Sequence, residues 1–417
     1  MKKHFNLIFT LFTVISLLTV FFISCDSEES DNSIFDIRSS YEGLDWSIQF
    51  KAANHAHSTN SDGSASLSDA IETHYAQGYD ILGMTDHVWK RPSGAGEGSE
   101  LYKDLVNKTW TATKWKDIDI THITEERFKE IQEGKGRNDR GMLMIPHSAE
   151  WAYTDAEETN VFFHKMNEEV PAATPAWSKN IRMGIIDAVA GGGVFFINHP
   201  GRTTAAMGFR QDGADDPKNP SNMSTWIRKF ANLYMEFPIT SLTGMEIFNR
   251  EDQDSRHDRI LWDNVLKLTI PEGRFIWGYG NDDSHSTGGI GINYNMFLMP
   301  SNTLENFRNA MVKGHSYMVT CMARNEGVDN PRNSQNRPHV TSVSVDNYAD
   351  TITIIATNAT KIVWISEGRI ILETEGLSST IELMKEDIVE NVGSYVRANI
   401  IGPTGMAAIQ PIGTKRR

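Results

Sequence analysis

Between residues 48 and 320 the chain alternates short apolar runs with longer amphipathic stretches. The runs at 48–54, 81–85, 142–145, 194–198, 245–248 and 275–279 are brief and apolar, and they predict strands. The stretches at 66–77, 125–132, 179–190, 224–234, 256–268 and 304–313 carry apolar residues at helical spacing, with Ser66 or Ser68 placed to cap the first. A βα repeat of this kind predicts a parallel sheet or barrel. Two polar stretches, 90–115 and 203–222, break the rhythm as long loops, of the kind that either carry function or decorate a surface. Beyond Asn330-Pro331-Arg332 the pattern changes. Runs at 341–345, 351–357, 361–366, 370–373, 380–383 and 395–401 are separated by turn residues and predict a small all-β sandwich.

The first residues follow another pattern. Met1-Lys2-Lys3 is basic, residues 7–23 are almost wholly apolar, and Phe21-Phe22-Ile23-Ser24-Cys25 closes the run. A basic start, an apolar stretch and a small residue before a cut describe an export signal. An uncleaved membrane anchor is the other reading, because the run is near the lower spanning length. Cys25 at the cut resembles a bacterial lipobox, which implies export and anchoring to a bacterial membrane, at the outer membrane or cell surface, through a lipid on Cys25. The expected organisation is a signal peptide at 1–24, a polar tether at 25–45, an α/β body at 46–328 and a β domain at 335–417.

Composition sets limits. Removing residues 1–24, which include Lys2 and Lys3 and no acid, takes the net charge from −14 to −16. So acidic a chain argues against a nucleic-acid polymer as partner. A small phosphorylated molecule stays compatible if metal ions supply positive charge locally. Cys321, the only other cysteine, has no intrachain partner once Cys25 is acylated, and reads as a core residue.

The chemistry-bearing residues fall at the predicted strand ends. His55 and His57 follow the first strand, with Asp62 shortly after. Asp86 and His87 end the second, Glu150 follows the third, His199 ends the fourth, and Asp283 and His285 follow the last. In a closed βα barrel these ends meet in one cup. Imidazole and carboxylate together favour Zn, Mn or Fe. H-x-H on an extended segment sends both rings to the same side, and Asp283-x-His285 has the same spacing. The remaining histidines, His74 and His147 among them, read as structural or surface residues.

The ordered set His55-x-His57, Ser61-Asp62-Gly63, Thr85-Asp86-His87, Glu150, Asn198-His199-Pro200 and Asp283-x-His285 resembles the PHP (polymerase and histidinol phosphatase) family over roughly residues 48–320. The β-rich tail is similar to those of exported CehA/McbA-like metallohydrolases. The resemblance implies an α/β fold, a distorted (β/α)7 TIM-like barrel, holding two or three divalent ions. It implies His55, His57, Glu150 and Asp283 on one ion, Glu150, His164 and His199 on a second, and Asp62, His87 and His285 on a third. His164 matches by its spacing from Glu150 alone. The implied activity is hydrolysis of a small phosphoester by metal-activated water. A carboxyl ester or carbamate hydrolase with the same ions is the alternative, and a non-catalytic, ligand-binding surface lipoprotein is a reading from another class. Arg202, three residues after His199, is the candidate for gripping a phosphate, against a plain surface role. Asp86 either orients a ligand imidazole or caps the following helix.

Overall fold

The computed structural model describes residues 33–59, 61–87, 124–145, 148–153, 155, 157–164, 180–201, 225–252 and 255–417. Local sequence accounts for many of its elements. The helix Leu67–Ala76 begins where the Ser66 side chain accepts the Asp69 N–H, and buries Leu67, Ala70, Ile71 and Tyr75. The helix Leu304–Lys313 is capped by Thr303 and stopped by Gly314 at φ +69°.

The strands of the first half are β1 (Phe35–Arg38), β2 (Gln49–Ala53), β3 (Ile81–Leu82), β4 (Leu143–Met144), β5 (Ala149–Ala152), β6 (Glu158–Phe162), β7 (Val194–Asn198), β8 (Leu242–Asn249), β9 (Trp277–Asn281), β10 (Asn293–Leu298) and β11 (Ser316–Thr320). β2, β3 and β4 run parallel, and β7, β8 and β9 run parallel in a second sheet with the order β5-β6-β7-β8-β9. β7, β8 and β9 are buried along their whole length, as expected of strands covered on both faces. β6 departs from the parallel repeat: it pairs antiparallel with both β5 and β7, in the register Glu158 to Asn198 and Phe162 to Val194.

No closed barrel is found among the described residues. The two sheets meet instead through single bridges, Ala56 with Ser284 and His87 with Glu150, both beside the predicted ligands. The β5–β6 hairpin and the antiparallel pair β10–β11 were not anticipated from periodicity, since their runs are short and share apolar residues with neighbouring segments.

The C-terminal strands form two packed layers. His339–Asp346, Thr351–Thr357 and Ser378–Glu382 make a three-stranded sheet. It packs Val343, Ile352, Ile354 and Ile381 against Ile362, Trp364, Val396 and Ile400 of the larger sheet. The boundary expected between 328 and 335 does not divide the structure: Gly405–Ile409 pairs with β11, and residues 33–417 form one compact unit. The tether expected through residue 45 ends sooner. β1 pairs with Ile412–Arg416, and Tyr41 is buried, because Phe35 and Ile37 supply an alternating apolar edge that the sandwich core takes in. Among the described residues no helix is long and apolar enough to cross a membrane. Residues 1–32, including Cys25, lie outside the description.

Candidate metal centre

β2 runs out at Ala53, and the extended chain beyond it carries His55 and His57 into the mouth between the two sheets. Both rings are almost wholly buried. Their Nε2 atoms lie 3.1 Å apart. Glu150 Oε2 is 3.2 Å from His55 Nε2 and 3.1 Å from His57 Nε2, while Asp283 Oδ1 is 3.3 and 3.1 Å from the same atoms. Four donor atoms from three strand ends thus face one point. Glu150 also reaches His87 Nδ1 at 3.3 Å through Oε2 and His199 Nε2 at 3.5 Å through Oε1, so its two oxygens face different neighbours.

A second convergence lies on the outer side of His57. Asp62 is 3.6 Å from His57 Nδ1, 3.7 Å from His87 Nε2 and 3.3 Å from His285 Nε2. The loop that brings Asp62 there is tight: a Cβ on Gly63 would lie 2.8 Å from the His57 carbonyl. Asp86 holds this loop. It accepts the Ser58 N–H at 2.6 Å and the Ser58 and Ser61 hydroxyls, each at 2.7 Å. Asp86 therefore positions the loop between His57 and Asp62 through two serines and does not contact an imidazole in these bonds, while the residues directly after His87, where a following helix is expected, lie outside the described residues. Two of the candidate ligands adopt left-handed backbone, His199 at φ +24° and Asp283 at φ +47°, the strained conformation that concentrates at functional sites.

The electrostatics follow from burial opposed by charge. Burial alone would lower His57, but its bonds to Asp283 and Glu150 outweigh it and push the ring up to about 10. For His55 burial again opposes the charged form, and Glu150, Glu246 and Asp283 raise it well above the ordinary range. Burial would raise Glu150 and Asp283, yet the surrounding histidines hold both well below the usual carboxylate range. His87 goes the other way: burial takes it down to about 4, with only partial opposition from Glu150. The site thus concentrates carboxylates that demand positive charge, beside imidazoles able to serve as neutral ligands. Imidazole nitrogens and carboxylate oxygens within 4.8 Å of one another form metal-sized groups, among them His55–His57–Glu150–Asp283 and His57–Asp62–His87–His285. This donor set fits divalent transition ions.

Eight of the nine proposed ligand residues come together in this way. His164 does not, and it belongs to none of the metal-sized groups among the described residues. Its buried ring packs edge-on against Trp151 and bonds through Nε2 to the Asp187 carbonyl, 3.2 Å away, at the end of the helix Ile181–Ala190. The reason is topological. Because β6 is antiparallel, its first residue and not its last lies beside the ends of β7 and β8, and Phe163 at φ +58° turns the chain away after it. Glu158, at that first residue, stands 3.4 Å from His199 Nε2 and groups with His87 and Glu150. Arg202 and His147, like the whole of the stretches at 90–115 and 203–222, lie outside the described residues.

Three further features were not read from the sequence. Glu246, fully buried in β8, accepts four bonds: from His55 Nδ1 and Asn281 Nδ2 at 2.8 Å through Oε1, and from the His199 N–H and Asn249 Nδ2 at 3.1 Å through Oε2. These four bonds occupy its oxygens, so it anchors His55 and His199, although it also lies within metal-sized reach of both rings. The signal was a lone acid within the apolar run Met245–Phe248. Beneath the ligands lies a layer of buried asparagines: Asn198 donates to Glu150 at 2.6 Å, Asn160 donates to the Asn54 carbonyl, and Asn295 donates to Asn281. Arg250, at the end of β8 and partly exposed, sets its Nε 2.8 Å from Asp283 Oδ2 and its Nη2 3.2 Å from His285.

No family model matches the chain, and no curated protein matches it. Solved structures resemble it in shape. A two-domain protein from Bacteroides vulgatus, described as containing a predicted PHP-like metal-dependent phosphoesterase, is 14% identical with a TM-score of 0.43, covering 91% of this chain and 89% of that one. A lesion-specific endonuclease from Pyrococcus furiosus is 14% identical with a TM-score of 0.37, covering 64% of this chain and 56% of that one. A putative metal-dependent phosphoesterase from Bifidobacterium adolescentis is 12% identical with a TM-score of 0.32, covering 57% and 88%.

Proposed function

We propose that this chain is a metal-dependent hydrolase that cleaves a phosphoester on a small molecule, using two or three divalent ions (Zn, Mn or Fe) in a distorted barrel of the PHP type. The observation that carries this reading is the meeting of His55, His57, Glu150 and Asp283 at 3.1–3.3 Å, with a second imidazole–carboxylate group sharing His57. Ions held there would acidify a water to a pKa of about 7 and polarise a phosphoryl oxygen. The chain's own residues do the rest. Glu150 directs one oxygen to His55 and His57 and the other towards His199, so it could contribute an oxygen to each of two neighbouring ions. Glu246 fixes His55 with its Nδ1 proton donated inward, leaving Nε2 for an ion. Arg250 places a guanidinium at the rim beside Asp283 and His285, where it can receive a non-bridging phosphate oxygen.

The acidic net charge supports a small substrate over a nucleic-acid polymer. Export and anchoring through Cys25 belong to the same proposal. The test is a panel of chromogenic phosphate mono- and diesters against neutral carboxyl esters and carbamates, with Mn2+ or Zn2+ added. Phosphoester turnover that depends on metal is expected. Arg250→Ala should lower kcat/KM on phosphoesters by about 10- to 100-fold, the loss of one charge-assisted bond, and barely affect neutral esters. Turnover confined to neutral esters or carbamates, with no phosphoester cleaved, would replace this reading with the ester hydrolase.

A further inference from the structure

The corner of the cluster around His199 differs from its neighbours in donor type. The position inside His55, His57, Glu150 and Asp283 is shared equally by imidazole and carboxylate, and the one inside His57, Asp62, His87 and His285 is dominated by imidazole. At the His199 corner three carboxylates face the ring, Glu158 Oε2 at 3.4 Å, Glu150 Oε1 at 3.5 Å and Asp283 Oδ2 at 3.8 Å, and His55 is the imidazole grouped with it. His164, the imidazole expected there, is not within reach. It follows β6 by two residues, six positions beyond Glu158 on a strand whose first residue faces the site. At a rise of about 3.3 Å per residue, the strand from Glu158 to Phe162 alone spans roughly 13 Å before the chain turns at Phe163. His164 is also held where it is. The Asp187 carbonyl accepts its Nε2 proton, and Gly191 leaves so little room that a Cβ there would lie 2.0 Å from the ring.

We propose that Glu158, and not His164, completes the ligand set of the ion beside His199, and that this makes the position oxygen-rich and favourable to Mn2+ relative to the imidazole-rich position around Asp62. Carboxylate oxygens suit hard ions such as Mn2+ and Mg2+, whereas imidazole suits Zn2+. Around the His199 ring the oxygen donors come from Glu150, Glu158 and Asp283. A carboxylate also adds negative charge where a histidine would add none, which strengthens binding of a divalent ion in a partly buried site. The inference rests on the metal-dependent reading above and sharpens it to one residue and one ion class.

The test counts ions and does not depend on turnover. The full chain and its Glu158→Gln, Glu158→His and His164→Gln variants are stripped of metal, then reloaded with Mn2+ alone or with equimolar Mn2+ and Zn2+. Bound metal is measured by elemental analysis, and a cooperative melt checks folding. Glu158→Gln should bind one Mn2+ fewer per chain. Glu158→His should restore the count while shifting bound metal towards Zn2+. His164→Gln should match the wild type in both readouts. A lost ion in His164→Gln with none lost in Glu158→Gln would overturn the assignment, and an unchanged Mn2+ to Zn2+ ratio in Glu158→His would overturn the selectivity. If the wild type takes up no ion at all, the failure lies in the metal-dependent reading itself.

Discussion

Glu246→Gln is the most informative single change in this molecule. The substitution keeps the shape of a side chain that is 0% exposed and removes its charge. Four donors converge on the carboxylate: His55 Nδ1, Asn281 Nδ2, the His199 N–H and Asn249 Nδ2. Glutamine offers one acceptor oxygen and one NH2. If the oxygen stays with His55 and Asn281, the NH2 faces two other donors. Two buried donors then lose their partners, at roughly 1–3 kcal/mol each, or about 2–6 kcal/mol in all. With an unfolding entropy near 2.1 cal/mol/K per residue, a chain of this size should melt about 2–7 °C lower. Metal affinity should fall by about 10- to 100-fold, because His55 loses the bond that fixes its tautomer and raises its basicity. Differential scanning calorimetry of the metal-free chain and competition against a chromogenic chelator measure the two effects separately. An unchanged melting temperature with unchanged affinity would refute the role given to Glu246.

Further outcomes follow from the site's electrostatics. His55 and His57 are raised in the folded state, His57 to about 10, so in the metal-free chain they contribute stability that is complete below about pH 6.5 and is lost as pH rises towards 10. The melting temperature of chelator-treated protein should therefore fall across that window, and metal loading should flatten the fall. Away from the cluster, burial raises Glu157 to about 7, with Lys229 opposing only in part. An acid raised in the folded state makes stability decline as pH climbs from about 4.5 to 7, and Glu157→Gln should remove that decline from the melting profile.

The βα elements from residue 48 onward were legible because their apolar periods are regular: 194–198 and 304–313 appear with their predicted bounds. The clustering of eight of the nine candidate ligands was legible for a related reason, since acids and histidines at strand ends are conspicuous against apolar strands. What was hidden is direction. Nothing in Glu158–Phe162 distinguishes a strand that runs with its neighbours from one that runs against them, and His164 was matched on its spacing from Glu150 alone. Glu246 and the asparagines were hidden differently. Buried polar groups that support a site look, in one dimension, like interruptions of the core, and only their partners reveal the task. The expected boundary near residue 330 reflects a real change in pattern, but sheet pairing ignores it, because backbone hydrogen bonding continues wherever an edge is open.

The long-range pairings have a consequence for how the molecule comes into being. β9, which leads into Asp283 and His285, is bound along its backbone by Gln410, 132 positions later: Gly278 N donates to its Oε1 and its Nε2 donates back to the Gly278 carbonyl. β1 finds its partner later still, between Phe35 and Arg416. Contacts of such sequence separation close large loops before they return any stabilisation, and they slow folding. A nascent chain that has emerged only as far as His285 already owns every proposed ligand, yet lacks the strands that hold those ligands in place. Assembly of the cluster is thereby tied to completion of the last strands, so an ion meeting a partly made chain finds loose donors and no finished site.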